Sequence, residues 1–443
     1  MRIAMVGVIS ATLALVGCGG SSDDFTGSGP VTGTAACSAE GQKQFVLDTM
    51  RDVYFWVEDL PAAVNIDDYD SPEALLEFLT SFQPLDTFSF INSAEADSAF
   101  FGEGQFAGFG FSSTRLPNNE IFFTRVFSDS PADLGGLIRG QQLLAVDGRT
   151  VAVIDAAEGL GEAFGPAEEG ITRTLTIRNA DGSEFDAVLT KAVVTIDPVP
   201  QVRTYTIDGT TYGYLEFATF IQTATPQLES AFSDFNALGI TDVIIDLRYN
   251  GGGLVSIANE LGDYLGGFVA DGEVFSETLF NSNNTASNSQ ELFEQLNQSM
   301  NLSRAVFITT GGTASASELV INSMEPEVEV TLVGTTTFGK PVGQIGATFC
   351  DSILRPTAFE TVNNVGEGRY FDGLPVDCVA ADDVTTVVGS QQDPSTAAAL
   401  TFLSTGACPV ATNSGGVQKT EADIAAFRSP KPRNSAEDIA YAW

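Results

Sequence analysis

Ser315 and Lys340 are the residues of this sequence whose types and spacing could do chemistry. Ser315 lies in Gly311-Gly-Thr-Ala-Ser315-Ala-Ser-Glu318. A strand-like run, Ala305-Val-Phe-Ile-Thr-Thr310, leads in, and a helix-like run, Glu318-Leu-Val-Ile-Asn-Ser-Met324, leads out. A serine at a strand-to-helix turn sits beside free backbone N–H groups and the positive end of the helix dipole, which can hold an oxyanion. A hydroxyl nucleophile also needs a base. The chain has no histidine, so a Ser-His-Asp arrangement cannot be built, and lysine is the usual replacement. Lys340 follows 25 residues after Ser315, in Phe338-Gly-Lys340-Pro-Val-Gly-Gln344. Burial must depress its pKa, because only the neutral amine can take the serine proton. Read singly, Ser315-x-x-Glu318 is a capping box and Lys340 a solvated surface charge; read together they point to acyl transfer.

The elements that must position these residues are legible around them. Asp242-Val-Ile-Ile-Asp-Leu-Arg248 reads as a buried strand and runs into Tyr249-Asn-Gly-Gly-Gly253. A third strand-like run, Val328-Glu-Val-Thr-Leu-Val-Gly334, separates Ser315 from Lys340. With helical patterns between them, including one over 225–238, these strands predict an α/β layer with much parallel sheet over 199–405. Upstream, residues 101–198 are glycine-rich with short β-patterned runs. Ahead of them, 38–100 carry apolar stripes at helical spacing: Phe45, Val46, Met50, Val53, Tyr54 and Val57, then Leu75, Leu76, Phe78 and Leu79. Ser71-Pro72 suits a helix start. Residues 281–290 read as a polar loop, and 406–443 as a loosely held tail.

The Ser-Ala-Ser-Glu helix start, the Phe-Gly-Lys segment at this distance and the glutamine four residues beyond it resemble the S41 family of serine peptidases, the C-terminal processing or tail-specific proteases. The resemblance implies a Ser315 nucleophile, a Lys340 general base and Gln344 as the group that orients the amine. A neutral amide is the chemically sensible choice there, since a carboxylate would hold Lys340 protonated. Asp246-Leu-Arg-Tyr-Asn-Gly-Gly-Gly253 resembles the family's Asp-Leu-Arg-x-Asn-Pro-Gly-Gly segment, with Gly251 in place of proline. The glycines let the backbone approach a substrate, and the amides of Gly252 and Ala316 are the expected oxyanion donors. Asp86-Thr-Phe-Ser-Phe-Ile91 resembles a family segment that precedes a PDZ domain. Gly108-Phe109-Gly110-Phe111 and Ser130-Pro-Ala…Gly-Leu…Val-Asp-Gly148 resemble a PDZ carboxylate loop and core, with Gln141-Gln142 in place of the usual aspartate. Such a domain takes a protein C-terminus as an added strand. The implied architecture is multidomain α/β: a small helical N-terminal domain, a PDZ-like β-rich domain, and a spiral catalytic domain of the ClpP and crotonase kind.

Residues 1–17 read as a secretory signal, too short to span a bilayer. Leu15-Val-Gly-Cys18 looks like a lipobox, making Cys18 the lipidation site and 18–37 a tether. This predicts a bacterial lipoprotein of the cell envelope, with the outer-membrane pattern. Cys37, Cys350, Cys378 and Cys408 then remain for two disulfides. Three connectivities are open; Cys350–Cys378 with Cys37–Cys408 is the preferred one. No histidine and no CxxC spacing argue against a zinc site, and nothing calls for a cofactor. A formal net charge of −38 strongly disfavours a nucleic-acid partner, so none is expected, and leaves lipid as the membrane contact. Two other functions compete: a non-catalytic peptide- or ligand-binding protein on the same fold, and an acyl-CoA hydrolase, which export and the PDZ-like core disfavour.

Overall fold

The structure, a computed structural model, describes residues 37–409. Cys18, the signal segment, nearly all of the tether and residues 410–443 lie outside the described residues. No helix among the described residues is long and apolar enough to cross a membrane.

The predicted α/β layer is a six-stranded sheet in the order Gln201–Ile207, Thr210–Glu216, Asp242–Asp246, Arg304–Thr309, Glu329–Gly334, Cys378–Val379. The first pair is antiparallel and every later pair parallel. Parallel pairing needs crossovers, and three helices supply them: Thr225–Ala237, Val255–Gly266 and Ala316–Met324. Alternation along the strands feeds two cores. Val243, Ile245, Ala305 and Phe307 point to the face covered by those helices, while Ile244, Val306 and Ile308 point to the face covered by Pro394–Thr405. Burial on both faces is why these strands read as continuous apolar runs rather than alternating ones.

Consecutive parallel strands place their carboxyl ends side by side. The Tyr249–Gly253 loop, the Ser315 turn and the Phe338–Lys340 segment follow three neighbouring strands, so all three emerge at one edge of the sheet. Open α/β sheets bind ligands at this edge.

The middle region has its own sheet, built around Phe111–Arg115, Ile121–Val126, Gln142–Val146, Thr172–Arg178 and Glu184–Thr190, with its own core. Its ends meet where Gln105–Gly108 pairs with Ala192–Thr195. Gln141, buried where a turn aspartate is usual, accepts from the Ile138 amide (2.9 Å) and donates to Asn179 (2.8 Å). The N-terminal region is helical as its stripes predict, with Ala39–Val53 and Pro72–Thr80 sharing a core. Its strand Phe90–Ser93 joins a sheet with Ser352–Arg355 and Ala347–Phe349. The stretch over 281–290 is more ordered than a polar loop: Asn281 donates to the carbonyls of Asp52 and Tyr54 (both 2.8 Å), and Ser289–Leu292 is a strand.

The preferred disulfide pairing is wrong. All four cysteines are bridged, but as Cys37–Cys350 and Cys378–Cys408. Cys37 precedes the helix Ala39–Val53, whose Phe45 stacks on Phe349 (4.9 Å), so it lands at the turn holding Cys350. Cys378 lies on the last strand of the large sheet, beside the core that helix Pro394–Thr405 covers, and that helix delivers Cys408 to it. Cys350 and Cys378 are not on neighbouring strands: Cys350 lies at the turn between Ala347–Phe349 and Ser352–Arg355, in another sheet.

Candidate active site

The turn that carries Ser315 is stitched to the neighbouring glycine loop. Thr313 Oγ1 donates to the Leu247 carbonyl (2.7 Å), and the Asn250 carbonyl accepts from Ala314 N (3.0 Å) and Ser317 Oγ (3.0 Å). Asn250, fully buried, donates through Nδ2 to the Phe217 carbonyl (2.8 Å). Held this way, Ser315 adopts φ +56° and Tyr249 φ +61°. Left-handed backbone at non-glycine residues costs of order 1–3 kcal/mol and persists where surrounding bonds over-determine it, as they do here. Ser315 is half-buried at the N-terminus of Ala316–Met324.

Glu318 joins this turn to the lysine segment. Its carboxylate is fully buried; Oε2 accepts from Ser315 N and from Lys340 N (2.9 Å each), and Oε1 from Gly339 N (2.7 Å) and Thr337 Oγ1 (2.5 Å). One oxygen thus ties the backbones of both chemically interesting residues. Burial pushes the carboxyl above its ordinary range, against the pull of Thr337 and the three amides. The motif read as a capping box does more than cap its helix: the glutamate bonds the Ser315 amide and spends its remaining capacity on residues 337–340.

Lys340 is buried, and its Nζ donates to Gln344 Oε1 at 2.8 Å and lies 5.4 Å from the Phe88 ring centroid. Gln344 Nε2 donates to the carbonyls of Phe88 (2.6 Å) and Arg355 (3.1 Å). Both amide protons face carbonyls, which fixes Oε1 as the atom turned to the lysine.

Gly252 lies against the Ser315 turn: a Cβ there would fall 2.8 Å from Ser315 Cβ and 2.9 Å from Ala316 N. No side chain fits, and φ is +102°. As an oxyanion donor, however, Gly252 needs correcting. Its N–H donates to Asn250 Oδ1 (2.9 Å), an asparagine turn that closes the loop on itself. Ala316 N, the first amide of its helix, lies beside this turn, where a helix N-terminus offers unpaired donors.

Behind the loop, Arg248 is sandwiched by Asp246 and Asp393, with Nη2 at 2.6 Å from each; the three side chains are at most 1% exposed. Burial alone would raise Asp246; the Arg248 guanidinium overcomes this and holds it below the usual carboxylate range. The middle region reaches the same loop. Arg139 Nη1 donates to the Tyr249 hydroxyl (3.2 Å) and to the Thr124 carbonyl (2.8 Å), its Nη2 to Asp382 (3.3 Å), and the Tyr249 hydroxyl bonds Asp382. Of the loop expected to hold a carboxylate, Gly108 ends one strand and Phe111 starts the next. Gly110 (φ +86°) packs against Ser130 with no room for a side chain. Phe109 is buried beside Phe164 (6.0 Å), with Lys191 Nζ 5.2 Å from its ring. The sequence reading missed the bridging by Glu318, the Arg139–Tyr249 contact and the placement of Phe88. Glu318 carried a signal in its motif; the other two join residues 110 and 256 apart and leave none.

Residues 211–378 match the profile of peptidase family S41, and residues 41–90 that of the peptidase S41 N-terminal domain. The chain is 27% identical over 256 residues to the carboxy-terminal-processing protease of Bartonella bacilliformis, covering 55% of this chain and 56% of that protein. It is 26% identical over 240 residues to a carboxyl-terminal-processing protease of a Synechocystis species, covering 54% and 53%. It thus spans about half the length of the curated relatives it matches. The crystal structure of a Bacteroides fragilis protein described as an S41 protease superposes with a TM-score of 0.65 at 23% identity, over 82% of this chain and 97% of that one. A likeness at that identity is one of fold.

Proposed function

Taking as premise that this chain is a member of peptidase family S41, with the family's N-terminal domain ahead of the peptidase domain, we propose that it is a serine endopeptidase working through Ser315 and Lys340. The observation that carries this reading is Glu318 Oε2, which binds the backbones of both residues at 2.9 Å and so holds nucleophile and base in one rigid unit. Neutral Lys340 takes the Ser315 proton as Oγ attacks the scissile carbonyl. The Ala316 amide receives the developing oxyanion, and the lysine then passes its proton to the leaving amine. Water, activated by the same lysine, hydrolyses the acyl-enzyme and restores Ser315. Gln344 orients the amine and adds no charge that would keep it protonated.

The middle region is read as a PDZ domain that selects protein C-termini through the Gly108–Phe111 loop. Its support is a sheet with its own core, and the turn before the strand Gln142–Val146 carries Arg139 to the Tyr249 loop. An exported, lipid-anchored location through Cys18 is the matching reading of the N-terminus, supported by two disulfides, which persist in oxidising compartments.

The test is cleavage of an unfolded protein or a peptide with an apolar C-terminus by wild type, Ser315→Ala and Lys340→Ala, across pH about 7 to 10, where a lysine base becomes neutral. Activity in the wild type alone supports the assignment. Equal cleavage by all three sinks it, and cleavage by none favours a binding protein.

A further inference from the structure

The segment Asp86-Thr87-Phe88-Ser89 belongs to the N-terminal region, 256 residues from Gln344, and neither the nucleophile nor the oxyanion chemistry uses it. It is nevertheless tightly built. Asp86 and Ser89 are buried. Asp86 Oδ1 accepts from Phe88 N and Ser89 N (3.0 Å each) and from Thr357 Oγ1 (3.1 Å). Asp86 Oδ2 accepts from Ser89 Oγ (2.6 Å), and Ser89 Oγ in turn accepts from Thr357 N (2.9 Å). The turn is therefore clamped at two points to one residue of the strand Thr357–Val362.

Thr357 is the residue directly opposite Gln344 in the antiparallel pair of these strands, and the register shifts between Gly343 and Gln344. A bulge re-aims the side chain it carries. Gly343 allows it, since a Cβ there would strike the Phe359 ring at 2.0 Å. The re-aimed side chain is held by the Arg355 carbonyl (3.1 Å) and by the clamped turn, which presents the Phe88 carbonyl to Gln344 Nε2 at 2.6 Å and the Phe88 ring to Lys340 Nζ. A second fastening lies close by: Phe90–Ser93 pairs with Ser352–Arg355, whose hairpin Cys37 tethers through Cys350.

We propose that the Asp86–Ser89 turn is a positioning element of the peptidase centre, which locks Thr357 and holds the Phe88 carbonyl so that Gln344 turns Oε1, and not Nε2, toward Lys340. The inference rests on the Ser-Lys reading above. Without the clamp, only the Arg355 carbonyl (3.1 Å) still faces Gln344 Nε2, so the amide can rotate and turn N–H groups toward the amine in place of Oε1. The N-terminal region is then part of the catalytic apparatus rather than an appendage.

The test compares wild type with Asp86→Asn, Thr357→Val and Thr357→Ser in the full chain. Two quantities are read: kcat and KM on an unstructured peptide, and the rate at which an acetylating reagent modifies Lys340, followed by mass spectrometry. A misplacement near 1 Å costs up to about 100-fold, so Asp86→Asn is expected to lower kcat at least about tenfold with KM within about twofold. Thr357→Val, which keeps shape and loses the hydroxyl, follows it, while Thr357→Ser keeps most of kcat. The Lys340 modification rate shifts in the first two variants only. If Asp86→Asn does not fold, the two Thr357 variants carry the comparison. Unchanged kcat in Thr357→Val, or equal loss in Thr357→Ser, overturns the proposal. Should the wild type cleave nothing, the modification rate decides alone: a shift in Thr357→Val upholds the positioning role while the peptidase reading fails, and no shift overturns it.

Discussion

Replacing Glu318 by glutamine tests whether one buried carboxylate holds the centre together. Its two oxygens receive four donors: Thr337 Oγ1 and Gly339 N on Oε1, Ser315 N and Lys340 N on Oε2. Glutamine keeps one acceptor oxygen. If that oxygen serves Ser315 and Lys340, its NH2 opposes Gly339 N–H and Thr337. If it serves Gly339, both of the other amides face an NH2. Either way about two buried donors go unsatisfied, at about 1–3 kcal/mol each. Removing a buried charge returns part of this, leaving about 2–4 kcal/mol of destabilisation. Freed from its anchor, the Ser315 turn at φ +56° relaxes, and kcat falls by about 100-fold or more. Denaturant unfolding gives the first number and peptide hydrolysis the second. Unfolding free energy and kcat both within error of wild type would refute the bridging role.

The remaining predictions address other parts of the molecule. Arg139→Ala severs the middle region from the Tyr249 loop; kcat on short peptides falls severalfold while the unfolding midpoint moves little, as steady-state kinetics and thermal melts would register. Asp263 is pushed up to about 7 by burial, with Glu294, Glu260 and Glu291 adding to it against the Glu294 amide. Its folded pKa is raised, so its contribution to stability is full below about pH 4 and is lost as pH rises through about 7. Asp263→Asn therefore stabilises at pH 8 and not at pH 4, by about 1–2 kcal/mol once solvent screening of this partly exposed group is allowed for; melting curves at the two pH values check it. Cys37→Ser with Cys350→Ser removes a bridge spanning 313 residues and lowers stability by about 3–5 kcal/mol in the chain-entropy view, measurable by denaturant titration.

The large parallel sheet was legible because each of its signals is local. A buried parallel strand reads as an apolar run, and the Ser315 turn reads as a strand, a capping motif and a helix in sequence. Adjacency of the three loops then follows from parallel pairing. Contacts made across the chain were not legible. Cysteine pairing depends on where the helix Ala39–Val53 docks, which its own stripe does not specify. Gly252 was legible as part of a glycine loop, but the direction of its amide depends on the Asn250 side chain, a neighbour whose rotamer no motif encodes. Asp86 and Ser89 were visible as a motif, and their work on Thr357 and Gln344 only as a structure.

Covalent capture of the nucleophile tests the central claim most directly. The wild-type protein and Lys340→Ala would be treated with a fluorophosphonate, and the modified residue located by peptide mass spectrometry. A nucleophilic Ser315 activated by Lys340 predicts a single adduct on Ser315 in the wild type, and its formation slowed by at least about 100-fold in Lys340→Ala. An adduct on another residue, or equal labelling of Ser315 without the lysine, would contradict it.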